Sequence, residues 1–270
     1  MLATQFDLLP SGQRVRVART GQGPTLVFLH GYPDNLQIWS ALAERLSGTN
    51  QTIAFDWPGM GYSDRWTGGA TPFDMADRLV VLLQHWEIER ATLVGADMGG
   101  QAALACAIRY PEKVRQLVVM NCLAFPDGQT SWEIRLMRRA AINRTALRLF
   151  PAFVFDQVEK SSLPRHMRLP SDLRADLWSA FRRREVRDFI IEMCAGYEDT
   201  LPELAAQYSH IACPTLIMWG EREKHFGLAQ AQRLRAIIPG VELHIVPDGW
   251  HWMALHCADE IVAHIRSIIG

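Results

Sequence analysis

The run Ala91-Thr92-Leu93-Val94-Gly95-Ala96-Asp97-Met98-Gly99-Gly100 sets a carboxylate between two glycines, in the G-x-nucleophile-x-G form, directly after an apolar stretch. A serine in such a strand-to-helix elbow attacks esters or amides and becomes an acyl-enzyme. A carboxylate displaces a leaving group from a saturated carbon instead, and is left as an alkyl ester. The expected substrates therefore move from esters to epoxides and alkyl halides. Gly95 and Gly99 suit a turn that leaves little room for β-carbons, and the helix that follows would aim its free N–H groups and positive dipole end at Asp97. The competing reading of Asp97 is a simple helix N-cap, a position that aspartate also favours.

An elbow of this kind needs a strand before it and a helix after it, and the whole chain is built from such pairs. Gln13 to Ala18, Thr25 to Leu29, Thr52 to Phe55, Ala91 to Gly95, Gln116 to Met120, Thr215 to Trp219 and Glu242 to Val246 read as strands. Phe73 to Trp86, Gly99 to Tyr110, Leu228 to Ile238 and Ala258 to Ile269 read as amphipathic helices. Near-continuous apolar strands alternating with helices predict an α/β fold, with a mostly parallel sheet covered on both faces. The alternation fails between about Leu123 and Tyr208, where helical patterns follow one another, and resumes at Cys213-Pro214-Thr215. This predicts a core in two parts, residues 1–123 and 209–270, with a helical cap inserted over 124–208.

With 270 residues, 49% of them hydrophobic, the chain can bury one full core and carry that insertion. A net charge of -1 offers no electrostatic reason to bind nucleic acid or an anionic membrane, so a small-molecule substrate is the expected partner, with a homodimer left open. Basic residues predominate between Ser131 and Arg187 (Arg135, Arg138, Arg139, Arg182, Arg183 and Arg184 among them), which reads as a solvated helix face or as guidance for an anionic substrate. The five cysteines (Cys106, Cys122, Cys194, Cys213, Cys257) are odd in number and scattered among apolar residues, as expected of reduced thiols in the cytoplasm. Neither a basic-then-apolar leader nor a run of about 18 apolar residues is present. The sequence holds no H-E-x-x-H, no paired C-x-x-C and no P-loop, and Gly21-Gln22-Gly23-Pro24 reads as a turn; neither metal nor organic cofactor is expected.

Six motifs occur in one order: His30-Gly31-Tyr32-Pro33 with Trp39 beyond it; Asp56-Trp57-Pro58-Gly59-Met60-Gly61-Tyr62-Ser63-Asp64; the Asp97 elbow; Met120-Asn121; Trp219-Gly220-Glu221-Arg222-Glu223; and Gly249-Trp250-His251. Singly each is common. Together they make the chain resemble the α/β-hydrolase superfamily over essentially its whole length, and within it the aspartate-nucleophile branch of soluble epoxide hydrolases, haloalkane dehalogenases and haloacetate dehalogenases. The resemblance implies an α/β-hydrolase core without a cofactor, Asp97 as nucleophile, and His251 as the base that strips a proton from water to hydrolyse the Asp97 ester. His30 then braces a loop and His256 is structural. The acid that orients His251 follows the Thr215 to Trp219 strand, because Asn121, at the other family position, supplies no charge; Glu223 is the first choice and Glu221 the competitor. The backbone N–H groups of Tyr32 and Met98 would form the oxyanion hole.

The halide-binding branches resemble one another in a tryptophan or arginines just after the nucleophile, whereas Met98-Gly99-Gly100-Gln101 offers a thioether that donates no hydrogen bond. Epoxide opening needs a proton donor, which the family supplies from cap tyrosines. Tyr197 stands roughly where the second of these is expected, either as that donor or as a packed aromatic; the first has no match, and His166 or Trp178 would have to replace it. Trp39, Trp132, Trp178, Trp250 and Trp252 read as core packing or as an aromatic wall for an apolar substrate. The expected reaction is thus epoxide hydrolysis to a vicinal diol. Hydrolytic dehalogenation is the runner-up, followed by a specialised biosynthetic enzyme or a ligand-binding member of the fold that no longer turns over.

Overall fold

A computed structural model describes residues 1–127, 130, 135 and 140–270. One sheet contains β1 (Gln5–Leu8), β2 (Arg14–Thr20), β3 (Thr25–Leu29), β4 (Gln51–Phe55), β5 (Ala91–Ala96), β6 (Val114–Met120), β7 (Thr215–Gly220) and β8 (Glu242–Val246), in the spatial order β1-β2-β4-β3-β5-β6-β7-β8. β1 with β2, and β2 with β4, run antiparallel; every other pair is parallel. The central strands are buried on both faces, which is why Thr25-Leu26-Val27-Phe28-Leu29 reads as a continuous apolar run without alternation. β1 is not legible because Gln5-Phe6-Asp7-Leu8 is only four residues long and its alternating Phe6 and Leu8 are exposed; pairing with β2 is what makes it a strand.

The core helices are α1 (Ser40–Leu46), α2 (Pro72–His85) and α3 (Met98–Arg109). Thr71 and Asp74 close a reciprocal capping box at the start of α2, with Pro72 in its first turn. Between β6 and β7 come α4 (Ala140–Leu149), α5 (Pro151–Ser162), α6 (Ser171–Phe181), α7 (Arg184–Ala195) and α8 (Tyr197–Ala205), at the place where the strand–helix alternation fails. The chain then returns to the sheet with α9 (Ala229–Ile237) and α10 (Ala258–Ile269). α10 packs against α1, where Arg45 Nε donates to Asp259 at 2.7 Å.

One buried polar cluster holds the inserted helices to the sheet. Asp176 of α6 accepts both guanidinium arms of Arg16 at 3.1 and 3.0 Å and the amide of Asn35 at 2.7 Å, while Arg16 also lies 3.6 Å from the buried Asp56. Arg16 and Asn35 are buried, so removing the carboxylate strands two donors away from water. Asp176→Ala is expected to destabilise the protein by about 2 kcal/mol, measured by denaturant unfolding, with the residual Asp56 contact keeping the loss below that of a fully orphaned ion pair.

Several residues of the basic stretch pair with carboxylates: Arg148 and Arg184 with Asp188, Arg174 with Asp156 and the buried Glu159, Arg183 with Glu185. Trp132, Arg138 and Arg139 lie outside the described residues. None of the five cysteines forms a disulfide among the described residues, and no helix among them is long and apolar enough to cross a membrane.

Candidate active site

Asp97 joins β5 to α3 with φ 53° and ψ −125°, a conformation that costs a non-glycine residue about 1–3 kcal/mol and persists only where the surroundings impose it. The surroundings here are close backbones. A β-carbon on Gly95 would lie 2.4 Å from the Gly99 carbonyl oxygen, one on Gly99 would lie 2.0 Å from that of Leu29, and one on Gly31 would lie 2.4 Å from Cβ of Asp97. The His30-Gly31 loop is therefore pressed against the elbow. The Asp97 side chain makes no capping bond to α3, so the N-cap reading fails; it faces His251 instead.

His251 lies in the loop between β8 and α10, with Nε2 3.3 Å from Asp97 Oδ2 and Nδ1 2.8 Å from Glu223 Oε2. The other oxygen of Glu223 accepts the backbone N–H groups of His225 and Phe226, which fixes the carboxylate. The structure thus brings Glu223 to His251, whereas Glu221 is half-exposed beside Arg222. The longer glutamate is accommodated by the tight turn after β7, in which Glu223 N–H donates to Gly220. Burial opposes charge on both partners, yet their mutual attraction wins: the Glu223 carboxyl is held below the usual range, and the Glu223 and Asp97 carboxylates lift His251 well above that of an ordinary histidine. The rings of His225 and Phe226 meet the imidazole edge-on at 4.8 and 5.5 Å, limiting its rotation.

Asn121, read from the sequence only as an acid that is missing, has a positioning role. Fully buried at the end of β6, it donates from Nδ2 to the carbonyls of Trp250 and His251, both at 3.1 Å, and accepts the Gly220 N–H at 2.9 Å. It ties together the two loops that carry His251 and Glu223. Asn121→Ala should leave one N–H and two carbonyls unpaired and lower turnover about tenfold or more with the Asp97 elbow intact, a loss read from kcat of the purified variant.

Tyr32 departs further from expectation. Its backbone was assigned to the oxyanion hole opposite Met98, whose N–H opens α3 and has no acceptor within the helix. Its side chain packs against Phe181 of α6, at 6.0 Å between ring centres, and its buried hydroxyl has no hydrogen-bond partner among the described residues. Burial, Cys194 and the charge of Asp97 raise its pKa well above that of a free phenol, which places the hydroxyl within electrostatic reach of Asp97 and keeps it protonated. Tyr197, at the start of α8, is buried within the same reach, but its hydroxyl meets the Gln101 side chain, itself held by the Leu123 carbonyl at 2.8 Å.

Asp34, not singled out from the sequence, is buried beside these groups with Oδ1 unpartnered. Burial and the charge of Asp97 push its pKa up to about 7, against the partial opposition of His251 and the neighbouring Trp252 indole. The folded chain thus keeps a proton that the unfolded chain releases near 3.8, so this contribution to stability is complete below the unfolded value and is lost as pH rises through about 7. Stability measured by denaturation should fall across that window. Asp34→Asn, which mimics the protonated form, should flatten the slope and be the more stable protein at about pH 8.

The remaining expected site residues scatter. Trp252 is buried next to Asp34, and its backbone N–H donates to the Ser162 carbonyl of α5. Trp178 packs with Phe155 and Phe181, and Phe181 in turn meets the Tyr32 ring. Trp39 is stacked on Phe28 of β3 in the core, and none of its described contacts ties it to Asp97. His166 is exposed. His30 braces its loop as expected, contacting the Gly31 carbonyl through Nδ1 and accepting the Trp57 N–H at Nε2; burial holds its pKa down at about 4. His256 likewise accepts the Trp250 N–H, and the Tyr208 hydroxyl donates to the Ala124 carbonyl.

The chain is similar to known proteins over nearly its whole length. The chain is 26% identical over 273 residues to a cis-3-alkyl-4-alkyloxetan-2-one decarboxylase of Shewanella oneidensis, covering 96% of this chain and 86% of that protein. It is also 26% identical over 260 residues to the 2-hydroxy-6-oxononadienedioate/2-hydroxy-6-oxononatrienedioate hydrolase of Escherichia coli (strain K12), covering 91% and 87%. Among solved structures it superposes on the epoxide hydrolase CorEH with a TM-score of 0.83 at 17% identity, covering 100% of this chain and 99% of that one, a likeness of fold. The alpha/beta hydrolase fold family model matches residues 24–256, and the chain belongs to that family.

Proposed function

We propose that the protein opens epoxides to vicinal diols through a covalent ester on Asp97, with α4–α8 serving as a cap over an apolar or aromatic substrate. The observation that carries this reading is the pairing of an elbow carboxylate, engaged by a His251–Glu223 couple, with a buried and unpartnered phenol within its reach. Asp97 attacks a ring carbon, the C–O bond breaks, and the oxygen takes the Tyr32 proton. Burial raises the phenol's pKa and keeps it protonated, so the proton is in place when the ring oxygen needs it. His251 then takes a proton from water while the hydroxide adds to the ester carbonyl, and the oxyanion is held by the Tyr32 and Met98 N–H groups. Collapse expels the diol as its alkoxide, carrying one Asp97 oxygen, and the alkoxide takes back the proton held by His251. The carboxyl proton returns to the Tyr32 phenolate.

The resting charge pattern suits this order of events. Asp97 as a carboxylate is one of the groups that raises His251, and alkylation abolishes that charge. The imidazole pKa therefore falls when the ester forms, which is when a neutral base is required. Strained oxetan-2-ones are the second substrate class, favoured by the name of the Shewanella relative, because the same carboxylate can open their ring at the saturated C–O carbon. Halide substrates lose support from Met98, which has no N–H or O–H in its side chain to hold a departing halide.

The test is a single turnover of an epoxide in 18O-water. Asp97 should acquire the label, read by mass spectrometry of its peptide, while the first diol formed carries none. Label in the first diol would mean direct attack by water and would overturn the covalent route.

A further inference from the structure

We infer a divalent metal site, away from the Asp97 pocket, formed by His244 of β8 with Glu260 and His264 of α10. Nothing in the sequence pattern announces it, because one ligand comes from a strand and the other two are spaced i, i+4 on the helix that packs beside it. One ligand atom from each of the three lies within 4.8 Å of the other two, and this is the one such cluster among the described residues. His244 Nε2 is 2.7 Å from Glu260 Oε1, and the His244 and His264 rings stack with centres 3.6 Å apart.

The donor set favours a borderline cation. Two imidazoles and a carboxylate are the ligand chemistry of zinc sites that keep a position open for water, whereas calcium and magnesium demand oxygen donors. Zinc bonds of about 2.1 Å put neighbouring ligand atoms roughly 3.4 Å apart, so the cluster closes by side-chain rotation of about an ångström. All three residues are only partly buried, which leaves a path for the ion and room for water in the remaining position.

The location says what a bound ion would do. β8 leads into the loop that carries His251, and α10 follows that loop, so His244 stands before the base and Glu260 and His264 after it. A metal bridging the two ends would clasp the segment that presents the base. Because the site lies outside the Asp97 chemistry, the bound state should be read as stability and not as an added catalytic step.

Untagged protein stripped with chelator is titrated with zinc chloride by calorimetry, with thermal melts alongside. One equivalent should bind and raise the melting temperature by a few degrees at saturation. His264→Ala and His244→Ala should each weaken binding by more than the roughly tenfold cost of losing an outer-shell partner, and should lose the thermal shift. His264→Gln, which keeps a side chain of similar reach, guards against a mere packing defect and should behave like His264→Ala. No zinc-dependent heat or shift in the wild type, or equal binding by the wild type and the variants, overturns the site and leaves a surface ion pair between His244 and Glu260. Neither result depends on whether Asp97 forms an ester.

Discussion

His251→Gln should stop turnover while leaving Asp97 able to react, so that the protein accumulates as a stable adduct of its substrate. On the proposed route the imidazole activates water, with Nδ1 anchored on Glu223 and Nε2 turned to Asp97. Glutamine keeps much of the volume but cannot take the proton. Loss of a base in such a constellation lowers kcat by about 10,000-fold or more. Alkylation needs a carboxylate and a proton donor, not a base, so intact-protein mass spectrometry should show the variant heavier by the full mass of an epoxide. A mass lacking HX after exposure to an alkyl halide would move the reading to dehalogenation. Asp97→Asn must show no adduct with either. Absence of any adduct from His251→Gln across epoxides, oxetan-2-ones and halides would remove Asp97 as the working nucleophile and leave a binding protein.

Tyr32→Phe should slow epoxide opening by about 100- to 10,000-fold, the usual worth of general acid catalysis, and should act on the first half-reaction alone. The substitution deletes one oxygen and keeps the ring against Phe181. The backbone N–H at position 32 is untouched, so hydrolysis of an ester already formed should proceed at its normal rate. An alkyl halide, whose leaving group needs no proton, should alkylate the variant and the parent alike, which separates a lost donor from a damaged pocket. Tyr197→Phe is the comparison, because that hydroxyl already meets Gln101. If Tyr197→Phe abolishes epoxide alkylation and Tyr32→Phe leaves it intact, the donor belongs to α8 and the assignment to Tyr32 fails.

Local patterns were legible wherever a residue type answers to its own neighbours. The strands from Thr25 to Leu29 and from Glu242 to Val246, and the helix from Ala258 to Ile269, lie where the periodicity put them, because burial on two faces or one stripe writes itself into successive residues. β1 and the seven-residue α1 were missed because a hairpin partner in one case and packing against α10 in the other support elements too short to carry a period.

By itself, the sequence determined the α/β architecture, the elbow, and the candidates for nucleophile, base and acid, since glycines at a tight turn and motifs at strand ends are properties of short segments. Only the tertiary structure brought Glu223, and not Glu221, to His251, made Asn121 a tether, buried the Tyr32 hydroxyl without a hydrogen-bond partner among the described residues, left Trp39 in the core, and buried Asp34 within the field of Asp97. Each of these depends on which side chain meets which across strands and loops far apart in the chain. The direction of a side chain and its removal from water are set by those distant contacts, and no local pattern records them.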